Sequence, residues 1–484
     1  MGSKSRFYVD IMDLHDGVTG SCHLCVAKFP NDEKVNFLVD CGLFQGEDSE
    51  ELNASFTFKP ENISFCLITH NHVDHIGRLP LLVKNYFSGE IYATESTTKL
   101  MGNALFDSCS VLKSKNFSHE LYNEDDVRKA LEACVPCRYE EAVCVHPNIK
   151  AFFFRNAHLP GAASILLQVT YEDEEPINIL FTGDYNEKNE FLYDSYIPDW
   201  VLELPLTIVC ESTYGYTDST EVVPCFDENL LKAVEDKKTT IALVFSLGRT
   251  QEILHRLKCL QDAGKLDPNI PIYLDGKLAI KYTDMYSKGE LDIKPEMIDF
   301  FPQNVVIVDK IIRKSLLYED NSCKIIVTSS GMGSYGPARS YIPAFLGRKD
   351  ALIHFTGYTA EGTMGRRIKD TPKGEEVQTA GFLVIKQADV EYTSEFSAHA
   401  KADQLIDFLR KFKNIKLILI NHGEPENKKI FAKRILKEMD VKQVGILNRE
   451  MLFRIDTWGI VKTIPTKFIW CIKGSDIIRP LIFY

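Results

Sequence analysis

No apolar run in the chain approaches the ~18–20 residues that a membrane-spanning helix needs. The longest strand-like runs, such as Leu417-Ile418-Leu419-Ile420, are short, so no membrane association is expected. The first residues, Met1-Gly2-Ser3-Lys4-Ser5-Arg6, lack the apolar core of a signal peptide. They also place Arg6 where myristoylation wants Ser or Thr. A basic excess is missing too: 56 Lys and Arg face 68 Asp and Glu, a net charge of −12. That excludes a histone-like coat protein, but not a nucleic-acid enzyme, whose binding depends on a local basic groove. The 13 cysteines are odd in number and scattered, so no disulfide framework is expected. They read as reduced thiols, and the expected location is the cytoplasm. One Cys-x-x-Cys, Cys134 to Cys137, has no second pair at zinc-finger spacing. Internal repeats and low-complexity segments are absent.

What is present is ordinary globular composition, 45% apolar and 26% charged over 484 residues, enough for two or three domains. In the first two hundred residues short β-branched runs alternate with polar, Gly-containing turns. Candidate strands are Asn36–Asp40, Phe65–Thr69, Asn178–Phe181 and Thr207–Cys210. The acidic clusters Asn123–Asp126 and Tyr171–Glu175 read as solvated loops. From about residue 216 strands alternate with helices. Thr240–Val244 leads through Ser246-Leu247-Gly248 into a helix with Ile253, Leu254, Leu257 and Leu260 on one face. Lys324–Thr328 leads through Ser329-Ser330-Gly331 into a second such pattern, and Ala351–Phe355 ends at Thr356-Gly357. Strand, Gly-rich turn, helix is the grammar of a parallel sheet with functional loops at the strand ends. Beyond about residue 395, helix and strand alternate again.

The strongest chemical signal is Thr69-His70-Asn71-His72-Val73-Asp74-His75, directly after the apolar run Phe65–Ile68. On an extended segment residues two apart point the same way, so His70 and His72 can share one ion. Asp74 and His75 then fall on the following turn, free to aim at a second. A dense His/Asp cluster at a strand end is what a two-metal hydrolytic site needs. More ligands are on offer at His158, Asp184 and His422, each near a short apolar run and beside or close to a glycine. A carboxylate such as Asp184 can bridge two ions ~3.5–4 Å apart.

The HxHxDH motif, the later His158, the Gly183-Asp184 pair and Leu38-Val39-Asp40-Cys41-Gly42 resemble the metallo-β-lactamase fold. Glu211-Ser212-Thr213-Tyr214-Gly215, Phe396-Ser397-Ala398-His399-Ala400 and Asn421-His422-Gly423-Glu424 resemble motifs A, B and C of its nucleic-acid-processing β-CASP branch. The resemblance implies an α/β chain: a metallo-β-lactamase αββα sandwich with an inserted α/β β-CASP domain built on a parallel sheet. The expected domains are 1–215, the first part of the metallo-β-lactamase domain; 216–394, the β-CASP domain; and 395–484, the remainder with motifs B and C.

The resemblance also implies roles. His70, His72 and His158 would hold one zinc, and Asp74, His75 and His422 a second, with Asp184 between the two ions. A hydroxide between them would attack a backbone phosphorus, with Asp74 and Asp184 among the catalytic groups. His399 is the expected general acid, oriented and kept protonated by Glu211. Asp40 would support the ligand loop. A histidine in motif C, here His422, accompanies RNA rather than DNA processing in that family. Ser397, Ser330, Arg249 and Arg366 are the candidate contacts to substrate phosphates. Lys401 stands where relatives often carry Asp, and leaves the subgroup open.

The expected function is therefore a zinc-dependent ribonuclease acting on single-stranded RNA, endo- or 5′-exonucleolytic. The candidate protein partners are a second copy of the chain or an RNA-processing complex. Two alternatives stay open: a small-molecule thioester or lactone hydrolase on the same fold, and a non-catalytic RNA-processing scaffold. The apolar tail from Ile460 to Tyr484 has no assigned role.

Overall fold

The alternation in Lys34–Val39 decides how the first sheet is used. Val35, Phe37 and Val39 point to one face, and Leu38 to the other. Phe65 and Leu67 repeat the pattern next to them, with Cys66 and Ile68 on the opposite face. Phe37 and Phe65 pair across the parallel register and stack with ring centres 4.9 Å apart. Fully burying one such ring contributes about 1.5–3 kcal/mol. In a second sheet Ile179 and Phe181, Val209, and Leu417 and Leu419 face the same core, while Leu180, Ile208 and Ile418 face outward. Both sheets carry apolar residues on two faces, so each must be covered twice.

In a computed structural model of the chain this produces four layers. The structure describes residues 7–45, 49–114, 120–359 and 362–465. The tail beyond 465, with Phe468, Ile469, Trp470 and Phe483, lies outside the described residues. The chain divides into two units, 1–219 with 399–484, and 220–398.

In the first unit an eight-stranded sheet packs on a seven-stranded sheet. Helices Leu79–Lys84, Glu95–Ser114 and Glu124–Glu132 cover the outer face of one. Helices Ala402–Arg410 and Pro425–Glu438 cover the other. This is the αββα sandwich. The acidic run at Asn123 is not a loop: the Asn123 side chain accepts from the amides of Asp125 and Asp126, and Asp126 accepts from the Asn123 amide. The carboxylates cap a helix N-terminus, where its dipole favours negative charge.

Lys34–Val39 and Phe65–Leu67 run parallel, as do Ile177–Phe181, Leu206–Cys210 and Ile415–Ile420. Ile149–Arg155 points the same way as Ile177–Phe181, because two antiparallel pairings separate them. The C-terminal ends of these strands therefore open on one edge of their sheets, and every candidate ligand follows one of them.

In the second unit all six strands of the main sheet pair in parallel, ordered Val305–Ile307, Ile272–Asp275, Ile325–Ser329, Thr239–Val244, Ala351–Phe355, Asp389–Tyr392. A separate antiparallel pair joins Glu376–Gln378 and Leu383–Ile385. Among the described residues no helix is long and apolar enough to cross a membrane.

Candidate metal centre

Asp40 ends its strand in the left-handed region, at φ +62°. That turn aims its carboxylate at the neighbouring loop. Oδ1 accepts from the Thr69 amide at 2.8 Å, and Oδ2 accepts from Thr69 Oγ1 at 2.9 Å. Oδ2 also lies 2.8 Å from His75 Nδ1, so the other ring nitrogen of His75 faces the site. Thr69 Oγ1 lies 3.0 Å from His70 Nδ1 and turns His70 Nε2 the same way. His158 is placed by Asn156, whose Oδ1 accepts from the His158 amide at 2.9 Å. The Asn156 Nδ2 donates to the carbonyls of Thr182 and Asp184 at 3.0 and 2.7 Å, tying two ligand loops together. His422 takes φ +40°, and its Nδ1 lies 3.0 Å from Thr213 Oγ1. Its Nε2 thereby faces His75 and Asp74.

Among the described residues these supports assemble three overlapping groups of donors, the atoms of each within 4.8 Å of one another: His70, His72, His158 and Asp184; Asp74, His75 and His422; and Asp184, Glu211, His399 and His422. Asp184 belongs to the first and the third, and also lies close to His75 of the second. Its Oδ2 is 3.6 Å from His70 Nε2, 3.8 Å from His158 Nε2 and 3.4 Å from His75 Nε2, and its Oδ1 is 3.1 Å from His422 Nδ1.

The donor set fits divalent metal. Four donors held tetrahedrally at ~2.05 Å from an ion sit roughly 3.3 Å apart. His70 Nε2 and His72 Nδ1 are 3.2 Å apart, and His158 Nε2 and His72 Nδ1 are 3.3 Å apart. His75 Nε2 and His422 Nε2 are also 3.3 Å apart. Burial lowers His70 well below the usual imidazole value and His72 to about 4, so both offer lone pairs rather than protons. Asp74 stays ionised at about 2, because His422, His75 and His72 outweigh the burial that would raise it. His75 goes the other way. Burial disfavours its charged form, but Asp184 and Asp40 hold it protonated. A cation is thus favoured among these buried carboxylates, as uncompensated buried charge is costly.

His399 stands beside this cluster. Its Nδ1 is 2.9 Å from Oε2 of the fully buried Glu211. Its Nε2 is 3.9 Å from Asp184 Oδ2, and its side chain keeps 18% exposure. Burial opposes protonation, yet Glu211 and Asp184 hold its pKa above the usual value. Glu211 also accepts from the amides of Tyr185 and Thr213. Lys401 is buried, with its Nζ 3.3 Å from the centre of the Tyr214 ring.

The other four candidate contacts belong to the second unit. Arg249 is 6% exposed and paired with Glu252, and Arg366 Nε donates to Asp370 at 2.8 Å. Ser330 Oγ accepts from the Tyr335 amide at 3.2 Å, and the Ser397 amide donates to Ser394 at 3.0 Å. Cys134 and Cys137 join no donor group among the described residues, and burial pushes both thiols up to about 12.

Thr69, Asn156 and Thr213 hold candidate ligands in place, a role that motif reading gave to none of them. Only Asn156 carried a signal, standing two before His158, the spacing of an Asx turn. Gly42, which closes the Leu38–Gly42 motif, allows a close approach: a Cβ there would lie 1.6 Å from the Asp74 carbonyl oxygen. Gly42→Ala is expected to cost about 3 kcal/mol of stability, at the upper end for overpacking. It should also weaken metal binding through Asp74. Denaturant titration beside metal analysis checks both.

Comparison with known families and proteins gives a consistent pattern. Residues 30–197 match a metallo-beta-lactamase superfamily domain, 250–368 a Beta-Casp domain, and 384–444 a Zn-dependent metallo-hydrolase RNA specificity domain. Ribonuclease TTHA0252 of Thermus thermophilus is 30% identical over 84% of this chain and 91% of its own length. An RNase J-like protein of Methanocaldococcus jannaschii is 29% identical over 84% and 92%. Transcription termination factor FttA of Methanosarcina mazei is 27% identical over 85% and 67%.

Proposed function

Because this chain belongs to the β-CASP group of the metallo-β-lactamase superfamily, we propose that it is a zinc-dependent ribonuclease hydrolysing phosphodiester bonds of single-stranded RNA. One observation carries the reading: the Asp184 carboxylate stands among His70, His72 and His158 on one side and reaches His75 on the other, with the His399–Glu211 pair grouped on it as well. The nitrogen-rich donors favour zinc over magnesium, which takes oxygen ligands.

When bound, two ions supply a nucleophile at neutral pH by lowering the pKa of water, and offset charge on the phosphate oxygens. The chain's own residues do the rest. Asp40, Thr69, Asn156 and Thr213 hold the donors in place before substrate arrives, so little reorganisation is left for the reaction. Glu211 fixes the proton of His399 on Nδ1 and favours a second one on Nε2. His399 then gives the Nε2 proton to the leaving oxygen as the P–O bond breaks. Ser330, Ser397 and Arg366 are proposed phosphate contacts. Arg249 joins them by exchanging its Glu252 partner for a phosphate.

The test is cleavage of end-labelled single-stranded RNA and matched DNA, with metal content measured alongside. RNA cutting that a chelator abolishes and zinc restores is the expected result, and the product ladder separates internal from end-directed cutting. Two bound zincs with neither polymer cut would favour the small-molecule hydrolase.

A further inference from the structure

In the first unit a set of buried polar groups takes no part in the mechanism above. Asp13 and His15 have no exposed surface, His23 has 2%, and Lys428 has 1%. Asp13 is ion-paired to His23 Nδ1. Lys428 Nζ donates to the Leu447 carbonyl at 3.0 Å, and the His15 ring lies edge-on to His23 with centres 5.7 Å apart. Burial would raise the Asp13 carboxyl, but His23, His15 and Lys428 hold it at about 2. A fully buried carboxylate at the end of a strand is costly and calls for a reason.

The far side of His23 supplies one. Asp13 sits at Nδ1 of His23, and the opposite ring nitrogen, Nε2, lies 3.1 Å from the side-chain amide of Asn421, within hydrogen-bond distance. Asn421 immediately precedes His422. His23 begins a strand of the eight-stranded sheet, and Asn421 follows a strand of the other. This contact therefore ties the two sheets together at the edge where the ligands gather. His23 and Asn421 also line, with Asp40, His75 and Asp184, one small cavity of about 10 Å³.

His422 needs such support. A non-glycine residue in the left-handed region costs roughly 1–2 kcal/mol, so its φ of +40° must be imposed by its surroundings. Ser212 and Thr213 grip it from one side: the Ser212 amide donates to the His422 carbonyl at 3.1 Å, and Thr213 Oγ1 meets its Nδ1. The other grip is on Asn421, whose carbonyl accepts from Ser212 Oγ at 2.8 Å and whose side chain is set by His23.

We infer that Asp13, His23 and Asn421 form a positioning chain that holds His422, and through it the ion held by Asp74, His75 and His422. The inference rests on the metal reading above. In the full chain, stripped and titrated with zinc against a chromophoric chelator, wild type binds two equivalents. In His23→Leu and Asn421→Ala one equivalent is weakened about 10–100-fold, the usual effect of losing a partner behind a ligand, while the other is unchanged. The visible spectrum of the cobalt-loaded protein changes with it. His23→Gln, whose amide can pair with that of Asn421 in either direction, restores both. Should His23→Leu fail to fold, Asn421→Ala alone carries the comparison. Two equivalents at wild-type affinity in the variants, or both weakened alike with no rescue by glutamine, would overturn the inference. A wild type that takes up no zinc would overturn the metal reading itself, and the inference with it.

Discussion

Replacing His399 with alanine is expected to slow RNA cleavage by about 10²–10⁴-fold, the usual contribution of a general acid, while both metal equivalents stay bound. The separation of these two readouts follows from geometry. His399 Nδ1 is committed to Glu211 at 2.9 Å, and although His399 also groups with Asp184, Glu211 and His422, the donors around His72 and around His75 do not include it. Its Nε2 faces the same space as Asp184, at 3.9 Å. A side chain in that position can meet a reacting oxygen without holding an ion. Glu211→Gln should give an intermediate loss, because the amide keeps the shape but not the charge that favours a protonated ring. Rate and metal content measured on the same preparations decide the matter. Loss of an ion in His399→Ala would make His399 a ligand, and an unchanged rate would remove it from the reaction.

Asp184→Ala should have the second large effect, and of a different kind. The Asp184 carboxylate lies close to donors of both ions: Oδ2 lies 3.4–3.8 Å from His70, His75 and His158, and Oδ1 lies 3.1 Å from His422. Without it the bound metal should fall from two equivalents towards one. Cleavage should drop at least about 10³-fold, since the ions together supply several kcal/mol of transition-state stabilisation. Asp184→Asn should recover little, because a neutral amide offsets less of the charge of two cations. Two tightly held equivalents and a near-normal rate in Asp184→Ala would rule out the shared carboxylate.

Much of the architecture was legible before any fold was known, for reasons visible in single strands. Val35, Phe37 and Val39 alternate with polar or oppositely facing residues, and that period of two specifies a sheet face. Strand, glycine turn and helix in the second unit announced a parallel sheet, and all the strand pairs of its main sheet are parallel. Asn123–Asp126 misled because acidic density looks the same in a loop and at a helix cap. Only the reciprocal bonds of Asn123 and Asp126 distinguish them.

The sequence by itself determined which residues could carry the chemistry. His70, His72, Asp74 and His75 are close along the chain, and their types and spacing limit what they can bind. His158, Asp184, Glu211, His399 and His422 were read as a set through a family resemblance, since each alone is an unremarkable polar residue, four of them after a strand and His399 ahead of a helix. Tertiary structure alone decided how these side chains are aimed. Thr69 on His70, Asn156 between two loops and Thr213 on His422 leave no pattern in composition or periodicity, because their partners are set by loop conformation. His23 and Asn421 are 398 residues apart and meet only because two sheets end at the same edge. Local spacing encodes donors; the packing of distant strands orients them.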